Sequence, residues 1–127
     1  MERIAHNPAT VPAPVGGYSQ ALEMRGGRLL FISGQIPERA DGTVPKDFAG
    51  QCQAVWDNIG ALLAAAGMSY ANLIKVTTYL TSRELAKVNS HIRQKVLGDA
   101  RPALTVVVAQ TLDPAWLLEI EAIAAAD

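Results

Sequence analysis

The sequence predicts an α+β fold in which two helices cover one face of a mixed β-sheet. Three observations support this prediction: an amphipathic helix over residues 48–66, an alternating strand directly after it at 73–81, and short strand-like segments on both sides. The predicted element order is β-β-α-β-α-β-β. With 127 residues the chain has the length of one domain, and we expect residues 1–127 to form a single domain.

The first predicted helix has one continuous apolar face. Asp47 is a candidate N-cap, and Gly67 stands where a helix commonly ends through a residue with positive φ. Because the single cysteine, Cys52, lies on this apolar face, we expect it to be a buried core residue rather than a nucleophile. The apolar positions with helical spacing are Phe48, Cys52, Val55, Trp56, Ile59, Leu62, Leu63 and Ala66.

The remaining elements before this helix are predicted from turn residues. Residues 1–16 contain three prolines and are expected to be an extended lead-in without a regular element. Residues 18–24 and 28–33 are predicted to pair as a β-hairpin, because Gly26-Gly27 suits a tight turn with positive φ.

The second helix is predicted between Thr81 and Gly98. Thr81 and Glu84 have the spacing of a capping box, and Asn89 lies at the edge of the apolar face. That face is formed by Leu85, Val88, Ile92 and Val96.

Two strands follow, over residues 103–109 and 116–124. The three consecutive residues Val106, Val107 and Val108 indicate a strand with both faces buried. Since two helices cover only one sheet face, we expect the other face to be buried by self-association.

Composition excludes several classes of function. The net charge is −1, from 11 Lys and Arg against 12 Asp and Glu, so we expect no nucleic-acid partner. One cysteine and two histidines, His6 and His91, cannot form an internal disulfide or a usual structural zinc site, and we expect no metal. No signal peptide or membrane-spanning segment is recognisable, and a cytoplasmic location is expected.

Seven motifs in order give the chain a strong resemblance to a known family. They are Gly17-Tyr18-Ser19-Gln20-Ala21, Phe31-Ile32-Ser33-Gly34-Gln35-Ile36-Pro37, Asn58 through Gly67, Lys75-Val76-Thr77-Thr78-Tyr79-Leu80, Val88-Asn89, Pro102-Ala103 and Glu119-Ile120-Glu121-Ala122-Ile123-Ala124. Together they closely resemble the YjgF/RidA, or Rid, family, also described as endoribonuclease L-PSP-like. The resemblance implies a chorismate-mutase-like fold and a homotrimer with small-molecule clefts between subunits.

The resemblance also implies an activity and a set of site residues. Enzymes of the family hydrolyse reactive imines or enamines, such as those of 2-imino acids, to the keto acid and ammonia without a metal or an organic cofactor. By this resemblance the carboxylate of Glu119 would position or activate water, and a carboxylate in a partly apolar cleft is suited to that role. The ligand-binding positions would be Tyr18, Ser33, Gly34 and Asn89.

One position departs from the family pattern. In the deaminases the Pro-Ala pair is followed by an arginine that binds the substrate carboxylate, and here that residue is Leu104. Leucine cannot replace the two-pronged donor set of a guanidinium. Arg101 is three residues away along the strand, so it would point to the opposite face. We therefore expect a pocket that is more apolar at Leu104 and does not act as a standard 2-imino acid deaminase.

Two functions of different classes remain open at this point. One is a cofactor-free imine or enamine deaminase of the arginine-lacking type, and the other is a non-catalytic ligand-binding or chaperone-like trimer. Ribonuclease activity has little support from the balanced charge. Glu119 and Asn89 also have structural alternatives, as a solvated carboxylate and as an amide that bridges subunits.

Overall fold

A computed structural model describes all residues from 1 to 127. The strands are β1 Glu2–His6, β2 Ala21–Arg25, β3 Arg28–Gln35, β4 Leu73–Leu80, β5 Ala103–Val108 and β6 Leu118–Ala126, and the helices are α1 Phe48–Ala65 and α2 Ala86–Leu97. Neither helix is long and apolar enough to cross a membrane. Helix α1 ends before Gly67, which has a φ of 70°, as predicted.

Four strands form the main sheet in the order β3-β6-β4-β5. Strands β4 and β5 are parallel, and β6 is antiparallel to both β3 and β4. One face of this sheet packs against α1, which in turn contacts α2. The predicted α+β class, with two helices and a mixed sheet, is therefore confirmed. The largest fully buried side chains include Trp56, Ile59, Leu63, Leu73, Leu80, Leu118 and Ile120.

The predicted hairpin and the predicted lead-in are both wrong. Gly26 and Gly27 do form a turn, with φ of 72° and 85°, but β2 pairs with β1 in a separate two-stranded sheet rather than with β3. The first strand, Glu2–His6, precedes all the prolines and is free to pair. Because β1 pairs with β2 and β6 pairs with β3, the glycine turn joins two different sheets.

Helix α2 begins later than predicted, and its most buried residues are not those of the predicted apolar face. Ser82, rather than Thr81, accepts a hydrogen bond from the backbone of Glu84 at 3.3 Å. The Thr81 hydroxyl instead donates to the carbonyl of Leu117 at 3.0 Å. A short 3-10 turn over Arg83–Leu85 precedes the α-helix. The fully buried residues are Asn89, Arg93 and Leu97, whereas Leu85, Ile92 and Val96 of the predicted face are half-buried against the core and Val88 is exposed.

The second face of the main sheet has no helix over it. Phe31 on β3 is 71% exposed, although it lies in the middle of a strand. On β5 the three consecutive valines are also exposed, so the expected burial of both faces does not occur within one chain. These exposed apolar side chains lie on β3 and β5, the two edge strands of the main sheet, and such patches are typical of a surface that another protein covers.

Candidate functional site

The carboxylate of Glu119 lies directly over Gly34. Strand β3 has an irregular register between Ile32 and Gln35, and Gly34 falls within it. A methyl group at Gly34 would lie 2.8 Å from Cδ and 3.1 Å from Cγ of Glu119 and would overlap its carboxylate oxygen. Any other residue at this position would displace the carboxylate. The structure thus brings together the predicted site residues Gly34 and Glu119, with Ser33 adjacent in the chain.

Several polar side chains lie on the sheet face that carries Glu119, the face without helices. Glu119 pairs with Tyr79 across β6 and β4. The Tyr79 hydroxyl donates a hydrogen bond of 2.7 Å to Glu121 Oε1, and this bond raises the pKa of Tyr79. Lys75 Nζ donates to Thr105 Oγ1 at 2.7 Å. These bonds fix polar groups on a surface that is otherwise apolar.

A shallow depression of about 450 Å³ lies on this same face. Of the predicted site residues it contains only Ser33, and Glu119 is outside it. Its lining includes Phe31, Ser33, Lys75, Thr77, Glu121 and Ile123.

Tyr18 is held beside the opposite edge of the sheet. The next residue, Ser19, forms a parallel bridge to Ala103, and its backbone N–H donates to the carbonyl of Pro102 at 3.0 Å. The Ser19 hydroxyl donates to the carbonyl of Arg101 at 2.7 Å. These bonds place Tyr18 near the start of β5, the strand that carries Leu104.

Leu104 points toward the side of the sheet that the helices cover. It is in register with Val76, which is fully buried in the core, and residues that pair directly across two strands share a face. Leu104 is itself half-buried and packs against the core cluster. Arg101 does not take its place, because Arg101 Nη1 donates to the carbonyls of Gly98 and Ala100 at 2.7 and 3.2 Å.

Asn89 is 1% exposed, more buried than its predicted place at the edge of the apolar face. Its Oδ1 lies 4.0 Å from the Sγ of Cys52, and its Nδ2 has no hydrogen-bond partner. Burial raises the pKa of Cys52 to about 12, so the thiol stays protonated at neutral pH. The prediction that Cys52 is a core residue is confirmed.

Arg93 is a buried cation that the sequence prediction missed. It is 5% exposed, and its only hydrogen bond is from Nη2 to Ser90 Oγ at 3.3 Å. Its Nε is buried without a partner, and none of the four ion pairs of the structure includes it. Burial lowers the pKa of Arg93, while Tyr18 and Cys52 act in the opposite direction. The available sequence signal was the four-residue spacing from Asn89, which places both side chains on one helical face.

The predicted site residues therefore form two groups within one chain. Ser33, Gly34 and Glu119 lie at the β3 end of the sheet, whereas Tyr18, Asn89 and Leu104 lie near β5 or on α2. Three strand spacings separate β3 from β5, which is about 14 Å. Glu119 and Leu104 also point to opposite faces. A single chain does not assemble all six residues around one cavity.

The remaining titratable candidates lie elsewhere on the surface. His6 Nε2 lies 3.0 Å from Glu23 Oε1, and His91 is exposed on α2. No group of three or more His, Cys, Asp or Glu side chains is placed to hold a metal ion.

The sequence and the fold of the chain match those of known proteins. The family model for endoribonuclease L-PSP matches residues 8–126. The chain belongs to this family, which is also called the YjgF/RidA or Rid family. A RutC family protein of Pyrococcus horikoshii is 42% identical over 116 residues, which cover 89% of this chain and 90% of the relative.

Two solved Rid-fold structures extend the comparison. YyfB of the Rid family from Yersinia pestis superposes with a TM-score of 0.88 at 32% identity, covering 99% of this chain and 100% of the other. E. coli TdcF, solved with bound serine, has a TM-score of 0.74 at 29% identity, covering 91% and 93%. The Rid resemblance inferred from the seven motifs is confirmed.

Proposed function

We propose that this Rid-family chain forms a homotrimer that binds a small metabolite in clefts between subunits and hydrolyses an imine or enamine there. Family membership supports a function that concerns small molecules. The single observation that carries the proposal is the close packing of the Glu119 carboxylate over Gly34, where only a glycine leaves it room beside an open surface.

Self-association is supported by the exposed apolar surface and by the divided site. Leu29 and Phe31 on β3, together with the valines of β5, are exposed on opposite edges of the sheet. Cyclic symmetry pairs one surface of each copy with a different surface of the next copy. In a ring of three copies the β3 edge of one chain can therefore contact the β5 edge of its neighbour at all three interfaces. Such contacts would place the Glu119 group of one copy near the Tyr18 group of its neighbour.

The chemistry follows from the properties of a carbon–nitrogen double bond. Hydrolysis requires a positioned water, a base to take its proton and an acid to protonate the departing nitrogen. Glu119 can take the water proton and return it to the nitrogen, which leaves as an amine or as ammonia. The polar atoms of Ser33 and Tyr18 would hold the ligand. The serine bound to TdcF supports a ligand of the size of a small amino acid.

Leu104 makes a standard 2-imino acid an unsuitable substrate in the usual binding pose. A side chain without a donor at this position removes a charge-assisted pair that contributes roughly 1.5–3 kcal/mol, about ten- to a hundredfold in affinity. We therefore propose an arginine-lacking type of Rid protein with an altered substrate. The single buried thiol is consistent with the proposed cytoplasmic location.

A competition assay tests the catalytic proposal. Imines are generated in situ from a panel of amino acids and amines by the matching oxidases, with semicarbazide as a competing trap, and carbonyl release is followed. Wild type and Glu84→Gln, a control at an exposed carboxylate, should accelerate release for at least one imine. Glu119→Gln should lose the acceleration while keeping its fold and mass.

Two outcomes would contradict the assignment. If Glu119→Gln accelerates release as well as wild type, Glu119 is not the catalytic group. If wild type accelerates no imine in the panel, yet Glu119→Gln changes the affinity for small ligands, the non-catalytic ligand-binding alternative is favoured.

A further inference from the structure

The buried face of α2 contains hydrogen-bond donors that lack an acceptor. Arg93 Nε and Asn89 Nδ2 are both buried without a partner, and they lie four residues apart on one side of the helix. Buried polar atoms are nearly always paired, so each exception requires an explanation. Here both unpaired atoms are donors, and the missing group is therefore an acceptor.

The charge of Arg93 narrows the identity of that acceptor. A guanidinium remains protonated in proteins, and a buried cation is ordinarily paired with an acidic group. No carboxylate of this chain pairs with Arg93, and its titratable neighbours are the Tyr18 hydroxyl and the Cys52 thiol, of which the thiol stays protonated at pH 7. Its single neutral partner is the hydroxyl of Ser90. An anion would satisfy both the charge and the unpaired donors.

The position of Arg93 connects it with the proposed ligand site. Its Nη2 lies 3.6 Å from the point where a Cβ of Gly16 would be, and the Tyr18 ring lies 3.8 Å from the same point. Arg93 is thus next to the segment that carries Tyr18 and one turn of helix from Asn89. Leu97 of α2 belongs to the core on the side of the sheet toward which Leu104 points. Gly16 leaves this approach free of a side chain.

We propose that Arg93 binds the carboxylate of a small-molecule ligand, supplying from α2 the guanidinium that is absent at position 104. This inference rests on the proposed ligand site and specifies its substrate class as a small carboxylate. The carboxylate would enter from the helix side rather than from β5, so the reacting carbon would lie differently relative to Glu119 than in the deaminases. Asn89 Nδ2 would donate to the same anion.

Calorimetric titration with pyruvate and with its neutral analogue pyruvamide tests this assignment. Wild type and Arg83→Gln, a control at an exposed arginine just before α2, should bind pyruvate with equal affinity. Arg93→Gln should bind it on the order of a hundredfold more weakly, and Arg93→Lys should lose less. Pyruvamide should bind wild type and Arg93→Gln equally. Equal affinity of wild type and Arg93→Gln for pyruvate would overturn the proposal.

A measurement on wild type avoids dependence on the folding of a variant. In a ¹⁵N-labelled sample the Nε–H signal of Arg93, assigned by its absence in Arg93→Lys, should shift on addition of pyruvate and not of pyruvamide. An unchanged signal at saturating pyruvate would overturn the assignment. The Nε–H signal of Arg93 could instead have the frequency of a paired guanidinium before pyruvate is added and stay there afterwards. That result would show that a carboxylate of a neighbouring copy pairs with Arg93, and it would also refute the proposal.

The outcomes separate this inference from the catalytic proposal. Pyruvate binding that depends on Arg93, without imine hydrolysis, supports the anion site and refutes the catalytic role of Glu119. Hydrolysis of a carboxylated imine that depends on Glu119, with an unchanged KM in Arg93→Gln, refutes the anion site alone.

Discussion

Glu119 occupies the space that a side chain at position 34 would fill. The irregular register of β3 brings the Gly34 backbone under the β6 carboxylate, which a methyl group at Gly34 would overlap. The glycine is needed here for space, since Gly34 is not among the residues with positive φ. Two strands separated by more than eighty residues thus define the position of one carboxylate.

Gly34→Ala should therefore impair activity in the same way as a substitution of Glu119. We expect displacement of the carboxylate and a loss of imine hydrolysis on the order of a hundredfold, as for other small displacements of catalytic groups. The matched control is Gly42→Ala, which carries backbone strain at a φ of 87° but has nothing within 4 Å of the added methyl. It should lose about 1 kcal/mol of stability and no activity. Full activity of a folded Gly34→Ala would contradict this account.

Leu104→Arg should move the protein toward standard 2-imino acid hydrolysis. The new guanidinium would stand where the family's deaminases have one, at a cost in stability of about 1–3 kcal/mol because Leu104 is half-buried. The assay is keto-acid release from an imino acid made by an amino-acid oxidase in the presence of semicarbazide. Thr105→Arg, on the opposite face of β5, is the control. A folded Leu104→Arg with no gain over wild type would argue against the proposed role of this position.

Cys52 should be chemically inert in the native protein. Its pKa of about 12 means that iodoacetamide at pH 8 finds almost no thiolate, and the side chain is fully buried. Mass spectrometry should detect alkylation in denaturant and not before. The free energy of unfolding should be unaffected by this group below pH 9 and should fall between pH 9 and about 12, where only the unfolded chain releases the proton. Rapid native alkylation would place Cys52 outside the core.

Mixing two defective variants should restore function if the cleft lies between copies. Glu119→Gln and Tyr18→Ala are each expected to be impaired. In co-expressed mixed trimers about a quarter of the clefts would combine an intact Glu119 with an intact neighbouring Tyr18. The number of functional sites per trimer is measured by titration or by turnover. If mixing restores nothing although the two chains co-assemble, both residues act within one chain.

Local periodicity and turn residues were sufficient to predict α1 and strands β2 to β6, because each has a strong signal of its own. The partner of β2 was not predictable in this way, since the two glycines fix a turn but not the sheet that each strand joins. The buried face of α2 was misjudged by one residue because the amphipathic pattern favoured Val88 over Asn89. Arg93 was missed for the same reason, as burial of an arginine depends on tertiary packing rather than on apolar spacing.

The same limits apply to the candidate site. Motif resemblance indicated Gly34 and Glu119, and the structure shows their contact. The motif resemblance did not indicate that Tyr18 is held at β5 through Ser19. That contact joins Ser19 and Ala103, which are 84 positions apart in the sequence. In the proposed trimer the two groups meet only through a second copy, which the sequence of one chain does not reveal.

Sedimentation equilibrium at micromolar concentration tests the central claim most directly. The account predicts a species of three times the chain mass of 13.5 kDa for wild type and for Leu112→Asp, which alters an exposed loop residue. Phe31→Asp, in the exposed sheet surface, should dissociate it. A wild-type protein that sediments only at 13.5 kDa would contradict the claim that the ligand site forms between copies.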